Sequence, residues 1–167
     1  AIYLYCRLIT FLCVKYHLHM LVYAGIDEAG YGPMFGPLCV GASVFILEEY
    51  DPEEGAPDMW SLLRTVVCKS RKDRHRRLAI NDSKKLKSGS TPKDLFGLER
   101  GVFAFLDSLH NRKPIENDND FFQLVGSVIP DEPWFDSITT LPVAVDQKEL
   151  RINSTRLNRT LEKTSIR

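Results

Sequence analysis

Two adjacent acids, Asp27 and Glu28, directly follow the short apolar segment 21–26, which we interpret as a buried strand. In a regular strand, neighbouring side chains point to opposite faces of the sheet. The turn predicted at Ala29 and Gly30 relaxes this alternation, so we expect both carboxylates to converge at the end of the strand. Adjacent carboxylates suit Mg²⁺ or Mn²⁺. Asp27 and Glu28 are therefore the candidate metal ligands and catalytic residues.

The segment that begins with these acids, residues 27–37, contains three glycines and two prolines and predicts a tight loop. Glycines allow backbone N–H groups to approach a ligand closely. The apolar segment 38–47 then predicts a second strand, antiparallel to the first. From these residues alone, a solvated acidic turn that caps a strand is the alternative to a metal site.

Charge is segregated along the chain. The 22 Lys and Arg residues balance 22 Asp and Glu residues, which excludes a uniformly basic, histone-like binder and a polyacidic tail. Residues 69–87 nevertheless hold nine bases and two acids, whereas 48–58 and 116–136 each hold six acids and no base. The basic stretch can supply the phosphate contacts that a nucleic-acid duplex needs. A solvated helix face at 69–77 and a polar turn at 82–85 are the alternatives.

Hydrophobic spacing predicts the elements that hold these groups. Apolar residues from Met59 to Val67 lie on one helical face, with Asp58 as the N-cap. The residues that follow, 69–77, either extend this helix or form a basic loop. The acidic stretch 48–58 is predicted to be an exposed linker.

A second helix is predicted to begin after Thr91, because Pro92 suits the first helical position and Asp94 completes a capping pattern. Its apolar stripe consists of Leu95, Leu98, Val102, Phe103, Leu106 and Leu109. Gly97 and Gly101 either weaken this helix or permit close packing. Residues 111–136 are polar and acidic and predict an insertion or a long loop.

Asp146 ends the apolar run 141–145 and precedes a helix marked by Leu150, Leu157 and Leu161. Two interpretations remain open for this residue. It either provides a third carboxylate at the end of a strand or caps the helix that follows it.

The length suits one domain, and we expect it to span 20–167, with residues 1–19 as an upstream extension before Met20. The longest uncharged run in the extension is too short to cross a bilayer. The four cysteines form no C-x-x-C pair, so we expect reduced, buried thiols in a cytoplasmic protein, with Cys39 in a core strand.

Two segments resemble the opening motifs of the ribonuclease HII family. They are residues 24–37 (AGIDEAGYGPMFGP) and 81–86 (NDSKKL), and the resemblance extends over residues 20 to about 110. Tyr31 stands where the family usually has Arg. Together with the acidic insert at about 111–136, this substitution looks more like a divergent bacterial branch than the standard enzyme.

The resemblance implies an α/β, ribonuclease H-like fold, with a mixed β-sheet flanked by α-helices. Asp27 and Glu28 correspond to the family's paired metal ligands. The implied substrate-binding residues are Gly30, Tyr31, Gly32, Ser83, Lys84 and Lys85. The first three lie at the loop whose backbone reads a ribose 2′-hydroxyl, and the last three lie close to phosphates.

The implied activity is Mg²⁺- or Mn²⁺-dependent endonucleolytic cleavage of RNA in RNA–DNA hybrids or ribonucleotide-containing DNA duplexes. We expect a monomeric cytoplasmic protein without a membrane partner. The family's fourth acid and C-terminal substrate-sensing Tyr have no counterpart before Arg167, so we expect a C-terminally incomplete fold.

Two other functions are consistent with the residues. A catalytically incomplete nucleic-acid-binding module of the same fold would bind duplexes without cleaving them. A phosphate- or nucleotide-binding protein that uses the glycine loop is a weaker alternative, because neither G-x-x-x-x-G-K-[ST] nor G-x-G-x-x-G occurs.

Overall fold

The computed structural model describes residues 20–29, 39–48, 50–73, 75–87, 89–109, 114–129, 131 and 133–167. The chain divides into two compact units, with the boundary between Gly55 and Ala56. This boundary lies in the predicted acidic linker, whose described residues are mostly exposed. The predicted upstream extension, 1–19, lies outside the described residues.

The first unit contains an antiparallel pair of strands, as the sequence predicts. Strand β1 spans Met20–Ala29 and strand β2 spans Cys39–Glu48. The pairing is continuous, from Met20 opposite Glu48 to Ala29 opposite Cys39. β1 therefore extends beyond the predicted end at residue 26 and includes both acids of the first motif.

The prediction that these strands are buried is wrong for most of the pair. Apolar side chains on one face of the pair are strongly exposed, with fractional exposures of 54% for Val22, 75% for Ile26 and 57% for Val44. Cys39, predicted to be a core residue, is also exposed, whereas Cys68 is buried as expected. Among the described side chains, burial is confined to the end of the pair away from the acids, where Leu47 of β2 is 3% exposed.

The second unit is built mainly from helices around a short parallel strand pair. Its elements are α1 (Met59–Leu62), β3 (Val67–Cys68), β4 (Leu78–Ala79), α2 (Ser83–Leu86), α3 (Phe96–Leu109), α4 (Asp118–Leu124) and α5 (Gln147–Lys163). Short 3₁₀ turns occur at Pro92–Leu95 and Pro133–Phe135. The described residues thus belong to the mixed α/β class.

Helix α1 begins where predicted but ends earlier. The Asp58 side chain accepts a hydrogen bond from the Trp60 amide at 3.0 Å, which confirms the cap. The prediction that the helix continues to Val67 is wrong, because Val67 joins β3 and pairs with Leu78 of β4. The β-branched valines fit this buried pairing better than a further helical turn. Residues 69–77 consequently form a basic loop between two parallel strands.

The predicted start of the second helix is confirmed. Asp94 Oδ2 accepts hydrogen bonds from the Thr91 amide at 2.9 Å and the Thr91 hydroxyl at 2.6 Å. The glycines in α3 permit close packing. A Cβ on Gly101 would lie 2.9 Å from the Ile80 side chain, and one on Gly97 would lie 3.3 Å from the Leu86 carbonyl oxygen.

The predicted loop at 111–136 is interrupted by α4, whose N-cap Asn117 accepts a hydrogen bond from the Asp120 amide. Phe121 of α4 packs edge-to-face on Phe103 of α3, with ring centroids 6.0 Å apart. One core cluster consists of Phe103, Ile115, Val145 and Leu150. Part of the acidic stretch therefore contributes to the core. The prediction of an insertion or a long loop is therefore wrong for Asp118–Leu124.

The final helix, α5, is confirmed, with Leu150, Leu157 and Leu161 buried. Among the described residues, no helix combines the length and hydropathy that crossing a membrane requires.

Candidate functional site

The two acids of the first motif lie within regular strand pairing. Asp27 is opposite Gly41, and Glu28 is opposite Val40. The pairing continues to Ala29, so the alternation of β1 is not relaxed at these positions. The side chains therefore point to opposite faces of the ribbon. Both side chains are exposed, and Asp27 Oδ1 accepts a hydrogen bond from the Glu28 amide at 3.0 Å.

Small residues lie beside the Asp27 carboxylate on its face of the strand pair. Its direct cross-strand neighbour, Gly41, has no side chain. Gly25 and Ser43 lie next along the same face, so only small residues surround the carboxylate on the strand pair. A cation or a polar ligand can therefore approach Asp27 from this face.

The expected convergence of two metal ligands is not found in the described geometry. Carboxylates on opposite faces of a ribbon cannot chelate one ion together. Within the residues described above, no group of three or more His, Cys, Asp or Glu side chains is placed to hold a metal. The described residues thus do not fit a chelated Mg²⁺ or Mn²⁺, although Asp27 alone can contribute one oxygen ligand.

The loop residues of the first motif, Gly30, Tyr31 and Gly32, lie outside the described residues. Their predicted contact with a ribose stays a prediction.

The second motif forms a short capped helix that directly follows β4. Asp82 accepts a hydrogen bond from the Lys84 amide at 2.8 Å and so caps α2. Asn81 Nδ2 donates to the Lys69 carbonyl at 2.8 Å, and the buried Leu86 packs with Cys68. These three motif residues therefore have structural roles, which hold the helix in place.

The remaining motif residues, Ser83, Lys84 and Lys85, are brought together on α2 and are all exposed. Neither lysine ammonium has a partner among the described residues. Because the helix is anchored by its other residues, these side chains are available to a ligand, as phosphate binding requires.

The basic loop 69–77 is held in shape by an internal ion pair. Arg77 Nη2 lies 2.8 Å from Asp73 Oδ1, and Arg77 Nη1 donates to the Arg64 carbonyl at 2.9 Å. The hydrogen bonds from the Arg77 side chain and amide lower the pKa of the Asp73 carboxyl well below its usual value. Arg77 therefore stabilises the loop and is not free to bind phosphate.

Arg100 of α3 also stabilises the basic loop. Its guanidinium donates to the carbonyls of Arg76 at 2.7 Å and Arg77 at 3.1 Å, and also to Asn153 Oδ1 at 3.2 Å. Its Nε forms an ion pair with Glu149 at 2.9 Å. The backbone of Arg76, with φ of 54°, is thus fixed in the left-handed region.

The loop and α2 are joined by direct hydrogen bonds. Arg71 Nη1 donates to the Leu86 carbonyl at 3.0 Å, in addition to the bond between Asn81 and Lys69. We define the basic cluster as the exposed cations on these two connected segments whose charged groups have no partner among the described residues. Its members are Lys72, Arg76, Lys84, Lys85 and Lys87.

Sequence reasoning missed Glu99, a buried carboxylate on α3. Its oxygens accept hydrogen bonds from the amides of Val143 at 2.8 Å, Ala144 at 2.7 Å and Val145 at 3.3 Å. Glu99 therefore fixes the segment that leads into α5. Its position four residues before Phe103, on the same helical face, is the signal that could have indicated burial.

Asp146 caps α5. Its Oδ1 accepts hydrogen bonds from the Lys148 amide at 2.8 Å and the Glu149 amide at 3.3 Å. Residues 141–145 do not form a strand. The capping interpretation is therefore confirmed, and the analogy with a ligand at a strand end is wrong.

The proposed site residues belong to both units. Asp27 and Glu28 lie in the first, and Ser83, Lys84 and Lys85 lie in the second. No protein-family model, curated protein or solved structure matches this chain. The resemblance to ribonuclease HII consequently rests on the two motifs.

Proposed function

We propose that this chain acts on RNA–DNA hybrids, or on DNA duplexes that contain ribonucleotides, as a metal-dependent endonuclease similar to ribonuclease HII. The observation that carries the proposal is the exposure of the chemistry-bearing side chains in both motifs. Asp27 and Glu28 are exposed on β1, and Ser83, Lys84 and Lys85 are exposed on an anchored helix. None of these five side chains contributes to a core, so all five are accessible to a substrate.

The positive charges of the basic cluster support duplex binding more strongly than they support cleavage. The basic cluster presents five cations on two segments that hydrogen bonds hold together. Because these bonds fix the two backbone segments, phosphate binding orders less of the chain than it would on two mobile loops. Neutralising phosphates also releases counterions, so binding weakens steeply as salt increases.

Cleavage is supported by the resemblance and by the accessibility of Asp27. A divalent metal in such an enzyme would activate water and stabilise the charge that develops on the phosphate. Because the described carboxylates do not chelate an ion together, the contribution assigned to the described residues is Asp27 as an exposed ligand and the cations that would hold the substrate.

A non-catalytic nucleic-acid-binding module is the second candidate function. The observation that favours it is the projection of Asp27 and Glu28 to opposite faces of the ribbon. The use of Asp146 as a helix cap also removes a possible third ligand. Under this function the basic cluster would bind duplexes, and no metal would be needed.

One pair of assays separates the two functions. A labelled RNA–DNA hybrid is incubated with the full chain and Mn²⁺, and its binding to the same chain is measured without metal. Asp27→Asn should abolish cleavage and retain binding, whereas the exposed control Glu54→Gln should retain both. Binding without cleavage in the unmodified chain would favour the module. Absence of binding at low salt would contradict both functions.

A further inference from the structure

A cavity of about 310 Å³ opens in the second unit, lined by residues of the basic loop, β4, α2, the 3₁₀ turn Pro92–Leu95 and the first half of α3. Three bases, one acid and four apolar residues line it. Its volume is at the lower end of the range of about 300–1,000 Å³ that is typical of small-molecule sites. The cavity therefore has room for one small ligand.

Two of the three bases are available to that ligand. Arg100 is occupied by Glu149 and by backbone carbonyls. Arg71 uses Nη1 to bind the Leu86 carbonyl at 3.0 Å, which places its guanidinium at the cavity and leaves its other donors without a partner among the described residues. The ammonium of Lys93 has no partner among those residues either.

The one acid in the lining, Asp94, is already engaged. Its Oδ2 accepts two hydrogen bonds from Thr91. The two positive charges of Arg71 and Lys93 therefore exceed the single negative charge of Asp94, and the cavity favours an anion. Phosphate groups suit this combination, since both guanidinium and ammonium groups form charge-assisted hydrogen bonds with them.

The apolar part of the lining favours a flat ring beside that anion. Phe96 is 40% exposed, so its ring is accessible to a ligand, whereas Leu86 and Ala79 are buried and form a closed apolar surface. Aromatic side chains with one free face stack on nucleobases in a way that tolerates different bases.

We propose that this cavity binds a nucleotide, with its phosphate contacted by Arg71 and Lys93 and its base stacked on Phe96. The site is additional to the basic cluster and does not require cleavage activity. A free mononucleotide and a single nucleotide of a bound strand share this chemistry, so the test must distinguish these two sources.

The test is calorimetric titration of the full chain with adenosine 5′-monophosphate, inorganic phosphate and adenosine, without metal and without duplex. The monophosphate should bind more tightly than either of its parts. Lys93→Gln should weaken its binding about fivefold, and Phe96→Leu about tenfold. Lys163→Gln changes an exposed lysine on α5, outside the cavity, and should leave binding unchanged.

Equal binding of phosphate and the monophosphate would overturn the nucleotide assignment, as would unchanged binding in both cavity variants. Both replaced side chains are exposed, and thermal unfolding of each variant checks that it folds. If excess monophosphate weakens hybrid binding, the site holds a nucleotide of the bound strand. If hybrid binding is unaffected, the site holds a free mononucleotide. Because these titrations contain no metal, a failure of the cleavage assay leaves their result intact.

Discussion

Arg100 Nη2 donates to the Arg76 carbonyl at 2.7 Å, and this bond fastens the basic loop to α3. The same guanidinium also binds the Arg77 carbonyl and pairs with Glu149. The shape of the loop therefore depends on an arginine that lies 23 and 24 positions away in sequence. Arg100 is thus unavailable to phosphate, but it positions the loop that carries exposed cations of the basic cluster.

Replacing Arg100 with Met should lower the free energy of unfolding by about 3 kcal/mol, because the carbonyls it binds and the Glu149 carboxylate lose their partners. Urea unfolding of the full chain measures this change. Arg156→Met, on the exposed side of α5, should change stability by less than about 0.5 kcal/mol. Similar losses in both variants would contradict the role assigned to Arg100.

Replacing Lys84 and Lys85 together with Ala should weaken duplex binding at low salt, since both ammonium groups are exposed and unpartnered among the described residues. Loss of two phosphate contacts should reduce the slope of log K against log salt by about 2. The matched control is Lys148→Ala with Lys163→Ala. An unchanged slope in the Lys84 and Lys85 variant would exclude phosphate contacts by these residues.

The Asp73–Arg77 pair should persist in acid. Because Arg77 lowers the pKa of Asp73, the contribution of the pair to stability is fully present above the ordinary aspartate value of about 3.9. It is lost only as the pH falls through the lower pKa of the folded state. In an NMR titration of the Asp73 carboxyl carbon, Arg77→Gln should raise the midpoint towards the ordinary value. Arg76→Gln is the control, and an equal shift in that variant would show that general charge, not the ion pair, sets the midpoint.

Two substitutions at Asp146 separate capping from metal binding. Asp146→Ala should destabilise the chain by about 1 kcal/mol, because the first amides of α5 lose their acceptor, whereas Asn caps helices about as well as Asp. Asp146→Asn should therefore retain stability, measured by urea unfolding, and should retain any hybrid cleavage. Loss of cleavage in a stable Asn variant would restore Asp146 as a ligand.

Short-range sequence patterns were sufficient to predict where several helices and strands begin. The caps at Asp58 and Thr91 and the stripe of α5 involve residues close in sequence. Patterns of this kind are set mainly by local backbone chemistry. The antiparallel pairing of β1 and β2 follows from two apolar segments that a glycine-containing stretch separates.

The features that the sequence did not predict depend on partners outside the local pattern. Val67 leaves the predicted helix because it pairs with Leu78, and Glu99 is buried because it binds amides more than 40 residues away. At the candidate site, the exposure of Lys84 and Lys85 was predictable from the motif. The opposite directions of Asp27 and Glu28 were not, because they depend on β2 continuing to pair beyond residue 26.

The short acidic segment at the boundary of the two units has a consequence for affinity. Under the proposed function, it links a unit that holds the duplex to a unit that carries the carboxylates. Because both units belong to one chain, the second encounter is intramolecular, and effective concentrations of about millimolar are typical of units joined by short flexible linkers. The carboxylate-bearing unit can then be a weak binder by itself and still act on each duplex that the lysines retain, so avidity replaces intrinsic affinity.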